Sequence, residues 1–284
     1  MQPSPPERAR FLYVVAGVLL VVAGSTGCSN PGLPPGTYSP FGTIDTIATT
    51  EPPRDSVLAV LSRMTRTAFD SSFAQLDAYA VTRHVRTEQM DTTGATTAYR
   101  SLTLRYPAGS GPGTVQQRDS AGAFREGGLF SALTPTQERK SRPANLARQA
   151  LADQPAYLAP RTQEAYRYAL RRDSMLDGTA VFVVEAKARS GERGRDQDVQ
   201  YARLTIDRAS NKLVGLTTTR SSRILLFRES SQLTIRLRPG PDSDGDWVPH
   251  LTRFRAYVDV PFRIARQFRT VSAYYGYEGR DEDL

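Results

Sequence analysis

The residues able to do chemistry are few and scattered. Cys28 is the only cysteine of the chain, and His84 and His250 are its only imidazoles. A Ser–His–Asp site needs one of those imidazoles beside an activated serine, and the sequence has no Gly-x-Ser-x-Gly turn. Asp242, Asp244 and Asp246 alternate around Gly245 like the start of a calcium loop. That loop needs Gly at its sixth position and Glu at its twelfth; Trp247 and Arg253 stand there, so a hairpin turn is the better reading. Gly109-Ser-Gly-Pro-Gly lacks the Lys and helix of a phosphate loop, and one cysteine with two distant histidines cannot build a metal site. No catalytic constellation, cofactor or metal is expected. The sequence points to a protein that is not an enzyme.

Cys28 acquires meaning from what precedes it. Arg8 and Arg10 lead into Phe11-Leu-Tyr-Val-Val-Ala-Gly-Val-Leu-Leu-Val-Val-Ala-Gly24, an uncharged run of 14 residues, followed by Ser25, Thr26 and Gly27. A basic start, an apolar stretch and small residues before a cleavage point describe an export signal. A spanning helix needs about 20 residues. A cysteine directly after small residues resembles a bacterial lipobox, although Ser25 stands where such patterns carry Leu. The resemblance implies cleavage before Cys28, a diacylglycerol on its sulfur and an N-acyl lipid on the new terminus. Ser29, rather than Asp, then implies outer-membrane placement. Two plainer readings compete: an ordinary signal peptide with an incidental cysteine, and an uncleaved anchor. Each buried lipid CH₂ contributes about 0.8 kcal/mol, so one chain anchors marginally and two or three anchor firmly. With no second cysteine the exported domain has no internal disulfide, and its stability must come from a packed core.

Composition permits that core, since 39% of residues are hydrophobic and 9% aromatic. The net charge is +8, and Lys140, Lys187 and Lys212 are the only lysines, so the positive charge is nearly all arginine. An exported chain has little occasion to meet nucleic acid, and none is expected as a partner. Anionic lipid headgroups are the more natural partner, with a solvated arginine surface as the plainer alternative.

The elements follow in order. Residues 1–27 read as the signal peptide, and 28–53, rich in Pro and Gly, as an extended tether. Asp55 or Ser56 can cap a helix carrying Val57, Leu58, Val60, Leu61 and Met64 on one face and ending near Ala68. Beyond Phe73 the period falls to two, through Leu76–Met90, a turn at Asp91-Thr-Thr-Gly94, Leu102–Tyr106, and a short strand over Val115–Arg118. Residues 125–163 lose this rhythm and read as an insertion with a helix from Ala144 to Leu151, a place for a lid or simply a surface helix. From Ala165 the chain is strand-like to Tyr277, with a hairpin turn at Asp177-Gly178 and a charged tail over 278–284. About nine or ten antiparallel strands result, a meander that closes as a barrel or stays open under a covering helix.

At this level the chain resembles the LolA/LolB-type superfamily of periplasmic lipoprotein carriers, including MucB/RseB-like sensors. The features that carry the resemblance span roughly residues 51–277. They are the first helix and long hairpin, Gly178–Ala186, Tyr201–Leu216, the Asp244–Pro249 hairpin and Val271–Tyr275. The resemblance implies a mainly β (α+β) fold, an unclosed β-barrel over 54–277 with covering helices and an apolar cavity for acyl chains. Phe182, Val184, Leu204, Ile206, Phe262, Phe268, Tyr274 and Tyr275 are the candidate lipid-binding residues. For the aromatic cluster formed by Phe262, Phe268, Tyr274, Tyr275 and Tyr277, ordinary core is the favoured reading over a cavity lining. Arg253, Arg255, Arg263, Arg266 and Arg269 form a basic stripe, a site for lipid phosphates or a solvated strand face. The expected function is a membrane-anchored envelope lipoprotein that holds a lipid acyl chain or a lipoprotein. The alternative is a scaffolding lipoprotein with a filled core acting by protein contacts.

Overall fold

The computed structural model describes residues 54–72, 75–109, 111–124, 155–159, 161–189, 199–224, 227–241, 246–259 and 266–279. The signal and Cys28, the tether, the helix expected at 144–151, Asp242, Asp244, Phe262, Arg263 and the end of the tail lie outside these residues.

Ten strands form a single antiparallel sheet. They are β1 (Tyr79–Met90), β2 (Thr96–Tyr106), β3 (Thr114–Ala121), β4 (Tyr166–Leu176), β5 (Thr179–Ala188), β6 (Val199–Asp207), β7 (Leu213–Ile224), β8 (Phe227–Pro239), β9 (Trp247–Asp259) and β10 (Arg266–Gly279). Their order is β3-β2-β1-β10-β9-β8-β7-β6-β5-β4, so the sheet is not closed into a barrel. It is not one continuous meander either. A three-strand and a seven-strand meander are joined where β1 pairs with β10, from Tyr79↔Gly279 to Met90↔Gln267. The edge strands β3 and β4 carry Arg118, Asp119, Arg167, Arg171, Arg172 and Asp173, charges that discourage pairing with another sheet.

Alternation along each strand gives the sheet two chemically different faces. On one face a single cross-strand row runs Leu170, Val184, Leu204, Leu216, Ile235, Thr252, Ser272, Val85 and Leu102. The row beside it, on the other face, reads Arg171, Val183, Thr205, Gly215, Arg236, Leu251, Ala273, His84 and Thr103. The first face is apolar and takes the helices. Val57 and Leu61 of α1 (Arg54–Arg63), Ala68 and Phe69 of α2 (Thr67–Ser71), and Leu76 are buried in the main core with Val184, Leu204, Ile206 and Leu213.

The helix expected to run on to Ala68 breaks at Met64. Thr65 leaves the helix to pair with the β6–β7 turn, its N–H donating to the Asn211 carbonyl at 2.9 Å. Its own carbonyl accepts from the Leu213 N–H, also at 2.9 Å. The turn is shaped to receive it: the Asp207 carboxylate accepts from the Ala209 and Ser210 N–H groups, and Asn211 holds a left-handed backbone at φ 56°. The two helices on either side of Thr65 are thereby clipped onto the sheet.

The β1–β10 seam is stitched by side chains as well as backbone. The Glu88 carboxylate, almost fully buried, accepts from Arg86 Nε at 2.9 Å and from Arg269 Nε at 2.6 Å. Thr87 and Thr270 share a hydroxyl bond at 3.1 Å, and Tyr79 meets Tyr277 edge to face. Glu88→Ala strands two partly buried guanidiniums and is expected to cost about 2–4 kcal/mol, below the fully buried case because both arginines keep some solvent. Urea unfolding checks it; a loss under about 0.5 kcal/mol, the range of ordinary surface substitutions, would show the seam does not depend on the carboxylate.

Candidate functional site

Among the described residues, two concave features lie on opposite sides of the sheet. The first lies in the helical layer. A groove of about 660 Å³ runs between α1 and the segment Pro155–Gln163, lined by Leu58, Leu61, Ser62, Met64, Arg66, Leu158 and Gln163. Its apolar residues are Leu58 and Leu61 of α1, Met64 just past that helix, and Leu158 of the facing segment. Val57 points into the core, whereas Leu58 and Met64 are only partly buried and pack at the core's margin. The apolar arc of α1 is therefore wider than one sheet contact uses. The far wall is fixed by Tyr168, whose hydroxyl donates to the Tyr157 carbonyl at 2.7 Å, and by Thr162 and Gln163, which donate to the Ala156 and Leu158 carbonyls. Arg66 sets a positive charge at the groove, held by Asp70 at 3.3 Å.

The sequence-predicted lipid contacts are placed differently. Val184, Leu204, Ile206 and Tyr274 are at most 1% exposed within the main core, and Phe268 is buried on the same face. Phe182 is half-buried on that face, with the Arg208 guanidinium 5.3 Å from its ring centre. Tyr275 belongs to the opposite face. The register shifts between Ala80 and Thr82 against β10, and Gly276 adopts φ 61°, so Tyr274 and Tyr277 share the apolar face while Tyr275 does not. Arg105 secures this bulge by donating to the Gly276 carbonyl at 2.8 Å. The structure brings six of the seven described residues onto one face, yet none of those seven lines the groove. Leu58, Met64 and Leu158 line the groove instead, and only the wide apolar arc over Val57–Met64 was visible beforehand in the sequence.

The second feature lies on the polar face over β4–β8. It encloses about 490 Å³, with Val181, Val183, Thr205, Gly215, Thr217 and Thr234 along its floor and Arg171, Asp173, Met175, Arg203 and Arg236 around it.

The histidines are structural in their surroundings. His84 is 3% exposed, and its Nδ1 lies 2.8 Å from the Thr103 hydroxyl. Burial, and secondarily Arg86, pushes its imidazole down to about 4. His250 is likewise lowered by burial and then by Arg238 and Arg236. Among the described residues no cluster of His, Cys, Asp or Glu could hold a metal.

No family model matches the sequence, and no curated protein matches it. Solved structures that align with this chain are LolA-superfamily and outer-membrane lipoprotein-sorting proteins. A DUF1329 family protein from Desulfovibrio piger is 12% identical, with 82% of this chain and 95% of that one covered at a TM-score of 0.26. A domain described as a putative outer membrane lipoprotein-sorting protein, from Vibrio parahaemolyticus, is 11% identical over 82% and 95%, at 0.28. A LolA superfamily protein from Nitrosomonas europaea is 11% identical over 79% and 94%, at 0.23. At such scores the alignments carry no argument about function, which must rest on this chain's own cavities.

The depressed histidines make stability pH-dependent with a definite sign. Unfolded, His84 takes its proton near 6.5; folded, it resists until about 4. Protons therefore favour the unfolded chain between those values, and stability complete above pH 6.5 is lost as the pH falls toward 4. The loss from His84 is on the order of 3 kcal/mol, and His250 adds in the same direction. Urea midpoints measured across this window should fall, and His84→Gln should flatten part of the slope. A slope unchanged by that substitution would contradict the assignment.

Proposed function

We propose that this chain is a membrane-anchored, non-enzymatic lipoprotein of the cell envelope that holds an acyl chain, free or as part of a lipoprotein, in the groove between α1 and Pro155–Gln163. The groove itself carries the reading: about 660 Å³, in the range of small-ligand sites, with Leu58, Leu61, Met64 and Leu158 for a hydrocarbon and Arg66 for an anionic head. Apolar burial supplies affinity at about 25 cal/mol per Å². The anchor rests on Cys28 and the small residues before it, the periplasmic outer-membrane placement on Ser29, and the standoff on the Pro- and Gly-rich 28–53 stretch. One observation favours a second reading, a scaffold acting by protein contacts: the space under the sheet is filled, with Val184, Leu204 and Ile206 fully packed beneath the helices.

Native mass spectrometry of the chain from Glu51 onward, purified from a periplasm, separates the two. A carrier retains added mass that organic solvent strips off as fatty acid or phospholipid, and takes up a fluorescent acyl probe. Leu58→Glu with Met64→Glu, both partly exposed, is expected to weaken the probe by about tenfold or more through lost apolar burial. A bare polypeptide mass with no probe uptake leaves the scaffold. The anchor is tested separately: Cys28→Ala should abolish incorporation of an alkyne-tagged fatty acid and release the protein from washed membranes. Retention with full labelling would refute lipidation at Cys28.

A further inference from the structure

The pocket on the polar face has no part in the groove or the anchor, and its chemistry is different. Arg203 of β6 and Arg236 of β8 stand on either side of β7, two strands across and two residues along, about 12 Å apart. Between them lie Gly215, paired with Arg236, and Thr217, paired with Arg203. A Cβ on residue 215 would meet Thr205 Cβ at 3.1 Å and its hydroxyl at 3.2 Å, so glycine is what keeps the floor open. The floor offers the hydroxyls of Thr205, Thr217 and Thr234, the last two 3.1 Å apart. We propose that this pocket binds a phosphate group, clamped between the Arg203 and Arg236 guanidiniums over Gly215 and hydrogen-bonded to the threonine hydroxyls.

The acids nearby do not saturate the two arginines. Glu185 lies 3.9 Å from Arg203 and Asp177 lies 3.8 Å from Arg236, beyond hydrogen-bond reach in both cases. Asp173 also lines the pocket, against Arg171, Arg203 and Arg236. The side chains of Arg203 and Arg236 are 33% and 40% exposed, open to solvent and able to turn toward a ligand. On the neighbouring strand the Arg253 guanidinium is lowered by burial first and then by Arg236 and Arg269. A guanidinium fork matches two phosphate oxygens, and arginine rather than lysine is what such recognition uses. Met175, Leu176, Val181 and Val183 line the β4–β5 side, so the phosphate can carry an apolar substituent there. Phosphate of this kind comes either from a soluble phosphomonoester or from a lipid headgroup.

The test uses the full-length protein in neutral detergent micelles with glycerol 3-phosphate, and then reconstituted protein with phosphatidylglycerol-containing vesicles against vesicles of phosphatidylcholine alone. Arg203→Gln with Arg236→Gln should weaken binding by about tenfold or more. Arg63→Gln with Arg167→Gln, the same charge change at exposed positions outside the pocket, should not. Loss of glycerol 3-phosphate binding in the pocket pair alone supports a soluble ligand. Binding only to the anionic vesicles, lost in the same pair, supports the pocket with a headgroup as its ligand. Absence of both, or equal loss in the control pair, overturns the proposal. Phenylglyoxal footprinting of the unaltered protein gives a measurement independent of how variants fold. Arg203 and Arg236 should lose reactivity when glycerol 3-phosphate or the anionic vesicles are added; unchanged reactivity overturns it. Failure here leaves the acyl-chain reading untouched, since no residue is shared with the groove.

Discussion

The pairing of β1 with β10 is the constraint on which the rest of the structure depends. Without it the chain would be two separate sheets of three and seven strands, one of them with few residues from the helical layer. Joining them closes a loop of roughly the whole domain, an entropic cost that grows only with the logarithm of its length but must be met before the contacts are made. The seam therefore carries more than backbone bonds. Arg83 donates to Ser272 at 3.2 Å and lies over the Tyr274 ring, Glu88 gathers Arg86 and Arg269, and Tyr79 meets Tyr277. Arg255, opposite Arg269 in register, donates to Gln267 at 2.8 Å, which turns a like-charge pair away from direct repulsion. These polar groups specify register: a one-residue slip would put each of them on the wrong face.

From that register the two faces follow. A ladder of branched apolar residues across β4–β8 can be covered only by something apolar, and α1 and α2 do so. The clip of Thr65 onto the Asn211 turn fixes where they sit, leaving the outer flank of α1 unburied by the sheet. On the opposite face the same strands present threonines and arginines, and glycine at 215 removes the one side chain that would fill the space between them. Both cavities thus lie in the β4–β8 half. The β1, β2, β9 and β10 half is occupied by buried polar pairs such as His84 with Thr103.

Much of this was legible from alternation. The strands, the Asp177-Gly178 hairpin and the mainly β content follow from period-two patterning and turn chemistry, which are local properties; that the sheet stays open came only from the family resemblance. What was not legible is non-local. Nothing in Val81–Met90 announces that its partner is Gln267–Gly279 rather than a strand nearer in sequence. The break at Met64 is invisible in helical periodicity, because its cause is a backbone exchange with a turn far along the chain. Tyr275 was grouped with Tyr274 although strict alternation sets neighbours on opposite faces; what the sequence hid is the bulge at Gly276, which returns Tyr277 to the apolar face. The core residues Val184, Leu204 and Ile206 were correctly found to be apolar and inward. Whether they face a cavity or a helix depends on where α1 docks, and that is set by Thr65.

The separation of an apolar groove in the helical layer from a basic pocket on the bare face has a physical rationale in the sheet itself. A sheet of this width cannot close around a ligand without losing its open edges, and it cannot present one surface suited to both hydrocarbon and anion. Strand alternation resolves the conflict. Along β5–β8 one side takes Val184, Leu204, Leu216 and Ile235, while the other takes Arg203, Thr205, Thr217, Thr234 and Arg236 beside Val181 and Val183. Because α1 and α2 occupy the apolar side, any hydrocarbon site must be made by the helices' own outer residues, which is where Leu58 and Met64 are found. Because no helix among the described residues packs on the other side, arginines there keep part of their solvent. They can exchange water for an anion at smaller desolvation cost than the buried Arg83 would incur.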